Sequence, residues 1–449
     1  MGKIIQIKKG LDIKIFGKAE KTITKVPFSE TFEINPDFFH GIIPKMLVKE
    51  GDKIQAGTPL FFNKAIPEMM FVSPVSGIVT AVNRGDRRKV LSVSIKSDIK
   101  IDYLKFEKAK LTQTQDDLKT ILLKSGLWTL IKQRPYDVIA NPSFNPKNIF
   151  VSTFDTSPLA PDYEFILKDK LTDFQTGIDA LKKLTNGVIF LGLQSENSIF
   201  NSIKNVETTV FKGNHPAGNV GVQINKTAPI NKGETVWTIN AQDVAIIGSF
   251  LNTGIVDFTK IVALTGPEIK NPQYFEIIAG GKISDLLKNN LFTNNYQLRY
   301  ISGNVLTGTQ IAENSFLSPY DNQLTVIAEG NETHELFGWA MPRINKFSAS
   351  YLYFTKLFSN KKFNFDARLL GGRRAIIMSG EYDKVFPMDI YPEFLIKAMI
   401  ANNIEKMENL GAYEVAPEDF ALPEFVCSSK LPLQAIVRDA LDFMKKELE

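Results

Sequence analysis

The chain has 449 residues with 53 basic and 49 acidic side chains, and its net charge of +4 is too small to indicate a nucleic-acid partner. Its length exceeds what one hydrophobic core organises, so we expect three or four domains. The single cysteine, Cys427, excludes an intrachain disulfide framework and a metal site built from cysteine alone.

The three histidines, His40, His215 and His334, lie far apart in sequence and show no metal-ligand spacing, so we expect no catalytic metal. No apolar run approaches the roughly 18 residues that a membrane helix needs, and the first residues lack the apolar region of a signal peptide. We therefore expect a cytosolic protein, or one that reaches a membrane only through a partner.

The N-terminal quarter of the chain is β-rich in its pattern. Residues 1–35 alternate apolar and polar side chains and are predicted to form short strands that lead into a sandwich. Two similar arms follow, residues 48–60 and 71–82, in which the alternation is broken by turn glycines. This pair of arms resembles the biotinyl/lipoyl carrier hammerhead, and we assign residues 1–111 to a biotinyl/lipoyl-like β barrel-sandwich domain.

Carriers of that type hold their acylated lysine in a minimal hairpin between the arms, where Lys64 stands in this sequence. The connection here is predicted to be longer, because two apolar residues and Pro67 follow Lys64 at once. A solvated loop lysine is therefore the favoured interpretation. A modified carrier lysine is the alternative, and an adduct of lipoyl or biotinyl mass on Lys64 would establish it.

From Asp116 the hydrophobic period becomes helical, and it continues to Ile131 before Pro135 acts as a stop signal. A strand over 148–154, an amphipathic helix over 171–184 and a strand over 188–193 then form a βαβ unit, which requires a parallel sheet. A helix over 241–251 and a strand over 260–264 extend this pattern. We assign residues 112–258 to a Rossmann-like α/β domain.

The phosphate-binding signatures of such domains are missing, since the sequence contains neither a GxGxxG between strand and helix nor a Walker motif. The nearest candidate is the glycine-rich stretch 213–221, whose backbone N–H groups would suit an anion-binding nest. A turn that only shapes the loop is favoured, because neither a lysine nor a helix start follows at phosphate-binding distance.

The last third of the chain changes from strands to helices. Short strands over 297–301 and 324–328 indicate a small β-rich domain, assigned to residues 259–370 with an extension. Helices are predicted over 392–400 and 404–410, the second ended by Gly411, and an apolar helical face runs over 433–444. Residues 371–449 are assigned to a helical C-terminal domain, and the overall class is α+β with several domains.

Several stretches spread over the whole chain resemble the family of A subunits of the sodium-translocating NADH:quinone reductase (Nqr). These are residues 7–12, 48–57, 125–129, 133–135, 154–160, 213–218, 301–308, 337–342, 346–348 and 371–374. A more distant similarity to the nucleotide-binding subunit of respiratory complex I, and to the corresponding component of the Rnf complex, implies an α/β, β-grasp-like and helical domain order. Residues 259–370 are then the β-grasp-like domain.

The resemblance implies a peripheral subunit on the cytoplasmic side of the bacterial inner membrane, in a complex that carries electrons from NADH to quinone and exports Na⁺. Integral membrane flavoprotein subunits are the implied partners, and the flavins and iron–sulfur centres belong to those neighbours. Relatives that hold clusters use CxxCxxC arrays near the C-terminus, whereas this chain has only Cys427 there. We therefore expect no cofactor bound by this chain and no activity of the chain alone.

The A subunits of this family are linked to quinone, and two stretches of this sequence match. They are Phe39, His40, Gly41, Pro44 and Met46 in one loop, and Gln133, Arg134, Pro135 and Tyr136 in another. A quinone head requires an apolar slot with one or two hydrogen-bond donors, and both stretches offer these. Packing between domains or against a membrane subunit is the alternative, and Ile43 stands where relatives are expected to carry a basic residue.

Two other functions remain as alternatives. A free-standing flavin or nicotinamide oxidoreductase would be yellow or would oxidise NADH in isolation, and the absent dinucleotide fingerprint argues against it. A carrier or binding module without enzymatic activity would carry the Lys64 adduct. A subunit of the redox complex would instead copurify with a membrane flavoprotein.

Overall fold

The computed structural model describes residues 3–26, 29–106, 114–293, 296–331, 337, 343, 346–349, 353–358 and 360–449. The strands are β1 (Lys3–Gln6), β2 (Glu20–Lys25), β3 (Thr31–Ile34), β4 (Pro44–Met46), β5 (Lys53–Ile54), β6 (Pro59–Asn63), β7 (Ile66–Val72), β8 (Gly77–Arg84), β9 (Val90–Ser97), β10 (Lys132–Arg134), β11 (Val138–Ile139), β12 (Ile149–Ser152), β13 (Ile189–Leu193), β14 (Glu207–Lys212), β15 (Val236–Asn240), β16 (Thr259–Thr265), β17 (Gln273–Ile278), β18 (Leu298–Ser302), β19 (Thr309–Ile311) and β20 (Gln323–Ala328). The α-helices are α1 (Gln115–Lys124), α2 (Tyr163–Leu167), α3 (Leu171–Lys183), α4 (Val220–Thr227), α5 (Ala241–Thr253), α6 (Ser284–Leu287), α7 (Glu381–Val385), α8 (Pro392–Ile400), α9 (Ile404–Asn409), α10 (Ala421–Val426) and α11 (Leu433–Leu448).

These elements form a mixed α/β protein with several sheets. In the described part of the chain, no helix is both long and apolar enough to cross a membrane. Three features considered in the sequence lie outside the described residues: His334, the stretch 338–342 and the boundary placed between residues 111 and 112.

Two small antiparallel sheets make up the N-terminal sandwich, with strand orders β3-β9-β8-β5 and β4-β6-β7. The two predicted arms are present, and each turns at a glycine with positive φ, Gly57 at +95° and Gly77 at +153°. A side chain at Gly77 would overlap the carbonyl oxygen of Lys96 on the neighbouring strand β9. Glycine is therefore required where the second arm enters its sheet.

The predicted long connection around Lys64 is wrong. Strand β6 ends at Asn63 and β7 begins at Ile66, so Lys64 and Ala65 form a short hairpin with Lys64 exposed. The Asn63 side chain closes this hairpin, because its Oδ1 accepts a hydrogen bond from the Ala65 backbone N–H at 3.2 Å. Loop length therefore does not distinguish a carrier lysine from a solvated one.

Residues 1–35 do not all lead into the sandwich. Strand β1 extends the large α/β sheet by pairing in parallel with β14, and β2 pairs in parallel with β17 in a third sheet. Only β3 joins the sandwich, beside β9. Alternation predicted the strands correctly, but it carries no information about which sheet a strand joins.

A seven-stranded sheet, in the order β1-β14-β13-β12-β15-β10-β11, forms the centre of the molecule. The βαβ prediction is confirmed by β12, α3 and β13, which lie within one residue or two of the expected bounds. Helix α1 ends at Lys124, earlier than expected, because Gly126 adopts φ +76° and a short 3₁₀ helix follows.

Helices α3 and α5 cover one face of this sheet and contact each other at two glycines. A side chain at Gly177 would overlap the Val244 carbonyl, and one at Gly248 would overlap the Asp173 carbonyl. These two glycines let the helix backbones approach more closely than alanine allows, which lets the helix pair pack tightly over the sheet.

A six-stranded sheet, in the order β19-β18-β20-β16-β17-β2, follows. Strand β16, predicted to extend the α/β pattern, pairs instead with β17 and β20 of this sheet. The C-terminal helices lie where they were predicted, with α8 at the predicted bounds and Gly411 at φ +86° after α9. The apolar face of α11 is buried at Leu433, Val437, Ala440, Leu441 and Met444.

We predict that Gly248→Ala lowers the free energy of unfolding by about 1–3 kcal/mol, because its methyl group would force α3 and α5 apart. The urea midpoint measures this effect. Gly372→Ala is the matched control, because no atom of the described residues lies within 4 Å of its added methyl group. Equal midpoints for the two variants would contradict the close-packing argument.

Candidate functional site

A crevice of about 250 Å³ opens at the carboxyl ends of β12 and β15. Within the sheet, β13 and β14 lie on one side of β12, whereas β15 is its neighbour on the other side. Ligands of open α/β sheets bind at such reversals of strand order, because the flanking connections diverge there. The crevice is therefore the candidate site of this fold.

The walls of the crevice are mainly polar. Side chains from the sheet and its connections include Lys132, Arg134, Asp137, Ser152, Asp155, Tyr163, His215, Asn219, Asn240 and Asp243, and the other domains contribute Asn304, Tyr320 and Glu418. The Tyr163 hydroxyl accepts hydrogen bonds from the side-chain amides of Asn240 at 3.0 Å and Asn322 at 3.1 Å. These contacts fix the ring in one wall.

Arg134 lies at the end of β10 and is 1% exposed. Its Nη1 donates to Asp419 Oδ2 at 2.7 Å and to the Glu414 carbonyl at 2.8 Å, while Nη2 donates to Glu418 Oε1 at 2.7 Å. Burial acts to lower the pKa of Arg134, but the charges of Asp419 and Glu418 outweigh it and raise the pKa above its ordinary value. The guanidinium therefore stays charged inside the protein.

His215 lies in the glycine-rich stretch and is buried. Its Nδ1 is 3.2 Å from Thr156 Oγ1, and its backbone N–H donates to Asp12 Oδ1 at 2.9 Å. Burial lowers the pKa of His215, although the charges of Asp155 and Asp12 oppose that shift. The ring is therefore neutral near pH 7 and offers one nitrogen as donor or acceptor.

The glycine-rich stretch itself is a packed turn, as favoured from the sequence. The N–H of Gly218 donates to Thr156 Oγ1 at 2.9 Å, and those of Ala217 and Asn219 donate to carbonyls within the turn at 2.9 Å. These amides are not available for an anion nest. One part of the prediction is wrong, because a helix does start here: α4 begins at Val220, within the stretch.

Asp243 lies in the first turn of α5 and is 2% exposed. Burial raises the pKa of its carboxyl group to about 6, since the positive charges of Lys260 and Lys132 offset only part of the desolvation. Asp243 is not among the residues predicted from the sequence. The only sequence feature near it is Asn240, which caps a helix that directly follows a strand. That pattern is the same at a functional site and at an ordinary helix start.

Three buried atoms on the crevice side chains have no hydrogen-bond partner among the described residues: Arg134 Nε, His215 Nε2 and Asp243 Oδ1. Buried polar atoms normally have partners, because leaving one unpaired costs about 1–3 kcal/mol. Three side chains that line the crevice therefore each carry one buried polar atom whose hydrogen-bonding capacity is unused among the described residues.

The first predicted quinone stretch lies behind the crevice. Phe39 is buried and packs edge-on against Phe71 and Tyr320, with ring centroids 4.7 and 5.8 Å away. Tyr320 also lines the crevice, so it connects this stretch to the site. Gly41 turns the loop at φ +79°. Pro44 and Met46 are in β4, opposite Asn63 and Phe61 of β6.

Of the second predicted stretch, only Arg134 lines the crevice. Gln133 is buried and its Oε1 accepts a hydrogen bond from the Asn141 N–H at 2.8 Å. The Arg134–Pro135 peptide is cis. Tyr136 is buried, and burial together with the charges of Glu449 and Glu408 raises its pKa to about 12.

Helix α11 brings the two stretches together, which the sequence analysis did not predict. His40 Nε2 lies 2.8 Å from Asp442 Oδ1. Arg438 pairs with the same carboxylate at 2.9 Å and donates to the Tyr136 carbonyl at 2.5 Å. The charged pair at positions i and i+4 was readable from the sequence, but its contacts with both loops were not.

Models of known domains match three parts of the chain. The NqrA N-terminal barrel-sandwich hybrid domain matches residues 5–98, the NqrA second alpha/beta domain matches residues 113–256, and the NQRA C-terminal domain matches residues 261–313. Together with the sheets described above, these matches define a multidomain α/β protein with an N-terminal barrel-sandwich domain.

Relatives match along nearly the whole chain. The A subunits of the Na(+)-translocating NADH-quinone reductases of Haemophilus influenzae (strain PittGG) and Actinobacillus pleuropneumoniae serotype 5b (strain L20) are each 37% identical, over 99% of this chain and 100% of theirs. That of Histophilus somni (strain 129Pt) is 36% identical over the same shares. The chain belongs to the NqrA family, the A subunits of Na⁺-translocating NADH-quinone reductases, as the sequence resemblance predicted.

One solved structure with partial similarity is a chain of an NAD⁺-reducing [NiFe]-hydrogenase in the air-oxidized state. The alignment covers 78% of this chain and 69% of that chain, at 12% identity and a TM-score of 0.34. This similarity is too low to support an argument about the site.

We predict that Arg134→Met lowers the free energy of unfolding by roughly 3–5 kcal/mol, because Asp419 would remain buried without its partner. Lys212→Met is the control, since it removes an exposed ion pair with Glu196 that is worth about 1 kcal/mol or less. Urea unfolding measures both. Similar losses would show that the buried pair has no special role.

A second prediction concerns pH. The native state holds the Asp243 proton more tightly than the unfolded chain, so the contribution of Asp243 to wild-type stability falls as pH rises from about 4 to 6, by about 3 kcal/mol at most. Asp243→Asn carries no such charge, and its stability relative to wild type should rise over this window and level off near pH 7. Asp439→Asn, at an exposed position of α11, is the control. A difference independent of pH would contradict the assignment.

Proposed function

We propose that this chain is a peripheral subunit on the cytoplasmic side of the bacterial inner membrane, in a complex that passes electrons from NADH to quinone and exports Na⁺. The names of its relatives support this proposal, since they are A subunits of a Na(+)-translocating NADH-quinone reductase. Integral membrane flavoprotein subunits are its partners. The isolated chain is inactive, and the complex is the enzyme.

The redox groups of the complex are assigned to the other subunits. An iron–sulfur cluster needs several thiolate ligands, and this chain has one cysteine. The Sγ of Cys427 is buried and lies 2.9 Å from the Tyr382 hydroxyl, within the C-terminal core. NADH and flavins are likewise carried by neighbouring subunits.

The finer fold assignments belong to the same proposal. Residues 1–111 form a biotinyl/lipoyl-like barrel-sandwich, 112–258 a Rossmann-like domain, 259–370 a β-grasp-like domain and 371–449 a helical domain. The antiparallel sandwich sheets, the parallel strands β12 to β15 and the sheet around β16 support these assignments. Strands β1 and β2 are exceptions, since they pair outside the first domain.

We further propose that the head group of a quinone binds in the crevice. The observation that carries this proposal is the set of three unpartnered atoms, Arg134 Nε, His215 Nε2 and Asp243 Oδ1. Binding brings these buried atoms into contact with the head group: a quinone carbonyl accepts from Arg134 Nε–H or from the Nε2–H of the neutral His215 ring, and a quinol hydroxyl donates to the Asp243 carboxylate. At about 250 Å³ the crevice is smaller than the 300–1,000 Å³ of drug-sized sites, so it accommodates a head group and not an isoprenoid tail.

The two stretches selected from the sequence have different roles in this proposal. Arg134 is the direct contact, while Gln133, Pro135 and Tyr136 hold the strand end that positions it. Phe39, His40, Gly41, Pro44 and Met46 support the wall from behind, through the contact of Phe39 with Tyr320.

Photolabelling of the intact complex with a short-chain azidoquinone tests the site. We expect labelled peptides from this chain to contain residues 132–137, 215–220 or 238–243, which line the crevice. Asn219→Trp should abolish most of that label by filling the crevice, because Asn219 lines it and its side chain makes no capping bond.

The exposed Asn197→Trp is the control for this experiment and should label like wild type. Labels confined to other parts of the chain or to other subunits would overturn the quinone site. They would leave membership of the complex unaffected.

A further inference from the structure

A basic and apolar segment precedes the C-terminal helices. Residues 360–378 carry five basic side chains and one acidic one, a net charge of +4 that equals the charge of the whole chain. The rest of the chain is therefore neutral overall. The one acidic residue, Asp366, is already paired with Arg368 at 2.7 Å and with Lys346 at 3.5 Å.

The second half of this segment, residues 369–378, is named the strap. Its large apolar side chains point outward: Leu369, Leu370, Ile377 and Met378 are 63, 57, 60 and 47% exposed. Only Ile376 packs against the core of the C-terminal domain. A single exposed leucine needs no explanation, but four in ten residues form a patch of the kind that marks an interaction surface.

The strap has no regular secondary structure, and few of its backbone groups are bonded within the described part of the chain. The Arg374 N–H donates to the Ser429 carbonyl at 2.9 Å, and the Ala375 carbonyl accepts from Ser429 Oγ at 2.9 Å. The other N–H groups from Leu369 to Met378 have no protein partner in the described residues. The strap is thus held to the molecule at its middle and presents free backbone donors and acceptors.

Positive charge surrounds the exposed apolar side chains. Arg373 and Arg374 are exposed and make no ion pair with the described residues. Lys430 lies beneath Gly371, with its Cε 3.8 Å from where a Gly371 side chain would begin. No acidic residue occurs between Ala367 and Gly380. A complementary surface therefore needs carboxylates next to apolar recesses.

We propose that the strap is the surface through which this chain docks on another subunit of the same complex, at a face that carries carboxylates next to apolar recesses. This inference rests on the proposed membership of that complex. A protein partner fits better than a lipid surface, because fixed peptide groups of a partner are able to pair with the free N–H and C=O groups of the strap. Acyl chains offer no such partners.

Site-specific photo-crosslinking in native membranes tests the proposal. A benzophenone amino acid at Leu370 or Ile377 should crosslink to another subunit of the complex, at a peptide with more Asp and Glu than Lys and Arg. The same group at Ile99, which is 96% exposed on the sandwich domain, is the control and should give little of that product. Mass spectrometry identifies the partner peptide.

Charge reversal gives a second measurement on the same positions. Arg373→Glu combined with Arg374→Glu should reduce the crosslink from Ile377 about tenfold or more, because like charges would then face each other. Lys96→Glu combined with Lys100→Glu changes the charge by the same amount at exposed positions near Ile99. This control should leave the crosslink from Ile377 unchanged.

The outcomes separate the two proposals. Crosslinks from the strap to lipid, to a second copy of this chain or to nothing, in a complex that still copurifies, would overturn the docking surface alone. So would equal effects of the two charge reversals. Failure of the wild-type chain to copurify with any membrane subunit would instead overturn its membership of the complex.

Discussion

The burial of Arg134 is the constraint on which the arrangement of the molecule depends. A guanidinium that is 1% exposed is stable only where carboxylates and carbonyls surround it, and here these come from residues 414–419 of the C-terminal part of the chain. Strand β10 of the central sheet and the C-terminal residues 414–419 are therefore fixed relative to each other. The contact is so close that a side chain at Gly221, the second residue of α4, would overlap Asp419 and Arg134 and would have to displace their ion pair.

The same ion pair shapes the crevice. Arg134 uses its terminal nitrogens for Asp419, Glu418 and the Glu414 carbonyl, so the buried Nε–H is the guanidinium group left without a partner among the described residues. Helix α11 contacts the chain just after β10, where Arg438 donates to the Tyr136 carbonyl, and its Asp442 pairs with His40. Residues 414–419 and helix α11 thus position two earlier parts of the chain, the end of β10 and the loop that carries His40. The geometry of the crevice depends on the first of these contacts, because Arg134 lines it.

Sequence periodicity predicted the elements that bury one apolar face. Helices α3, α5, α8 and α11 and strands β12 and β13 follow the expected bounds closely, because their side-chain spacing directly reflects burial. Sheet membership was not predictable in the same way. The pairing of β1, β2 and β16 is decided by partners distant in the chain, and alternation is identical whichever sheet a strand joins.

The site was only partly accessible to sequence reasoning. Arg134 was selected through a family resemblance, and it is the one member of the nine selected residues that lines the crevice. Asp243, Lys132 and Tyr320 were not selected, because each belongs to an otherwise ordinary helix, strand or loop. Their significance comes from being brought together by the fold, with burial raising the pKa of Asp243 to about 6.

The distribution of the first three strands has a consequence for synthesis on the ribosome. Lys3 pairs opposite Thr209 and Ile23 opposite Tyr274, so β1 and β2 wait for partners that are translated roughly ten seconds or more later. Until then, β1 and β2 are unpaired strands with free edges. These two strands are therefore open to holdase chaperones during synthesis, and the seven-stranded and six-stranded sheets reach their full width only after their last strands are made.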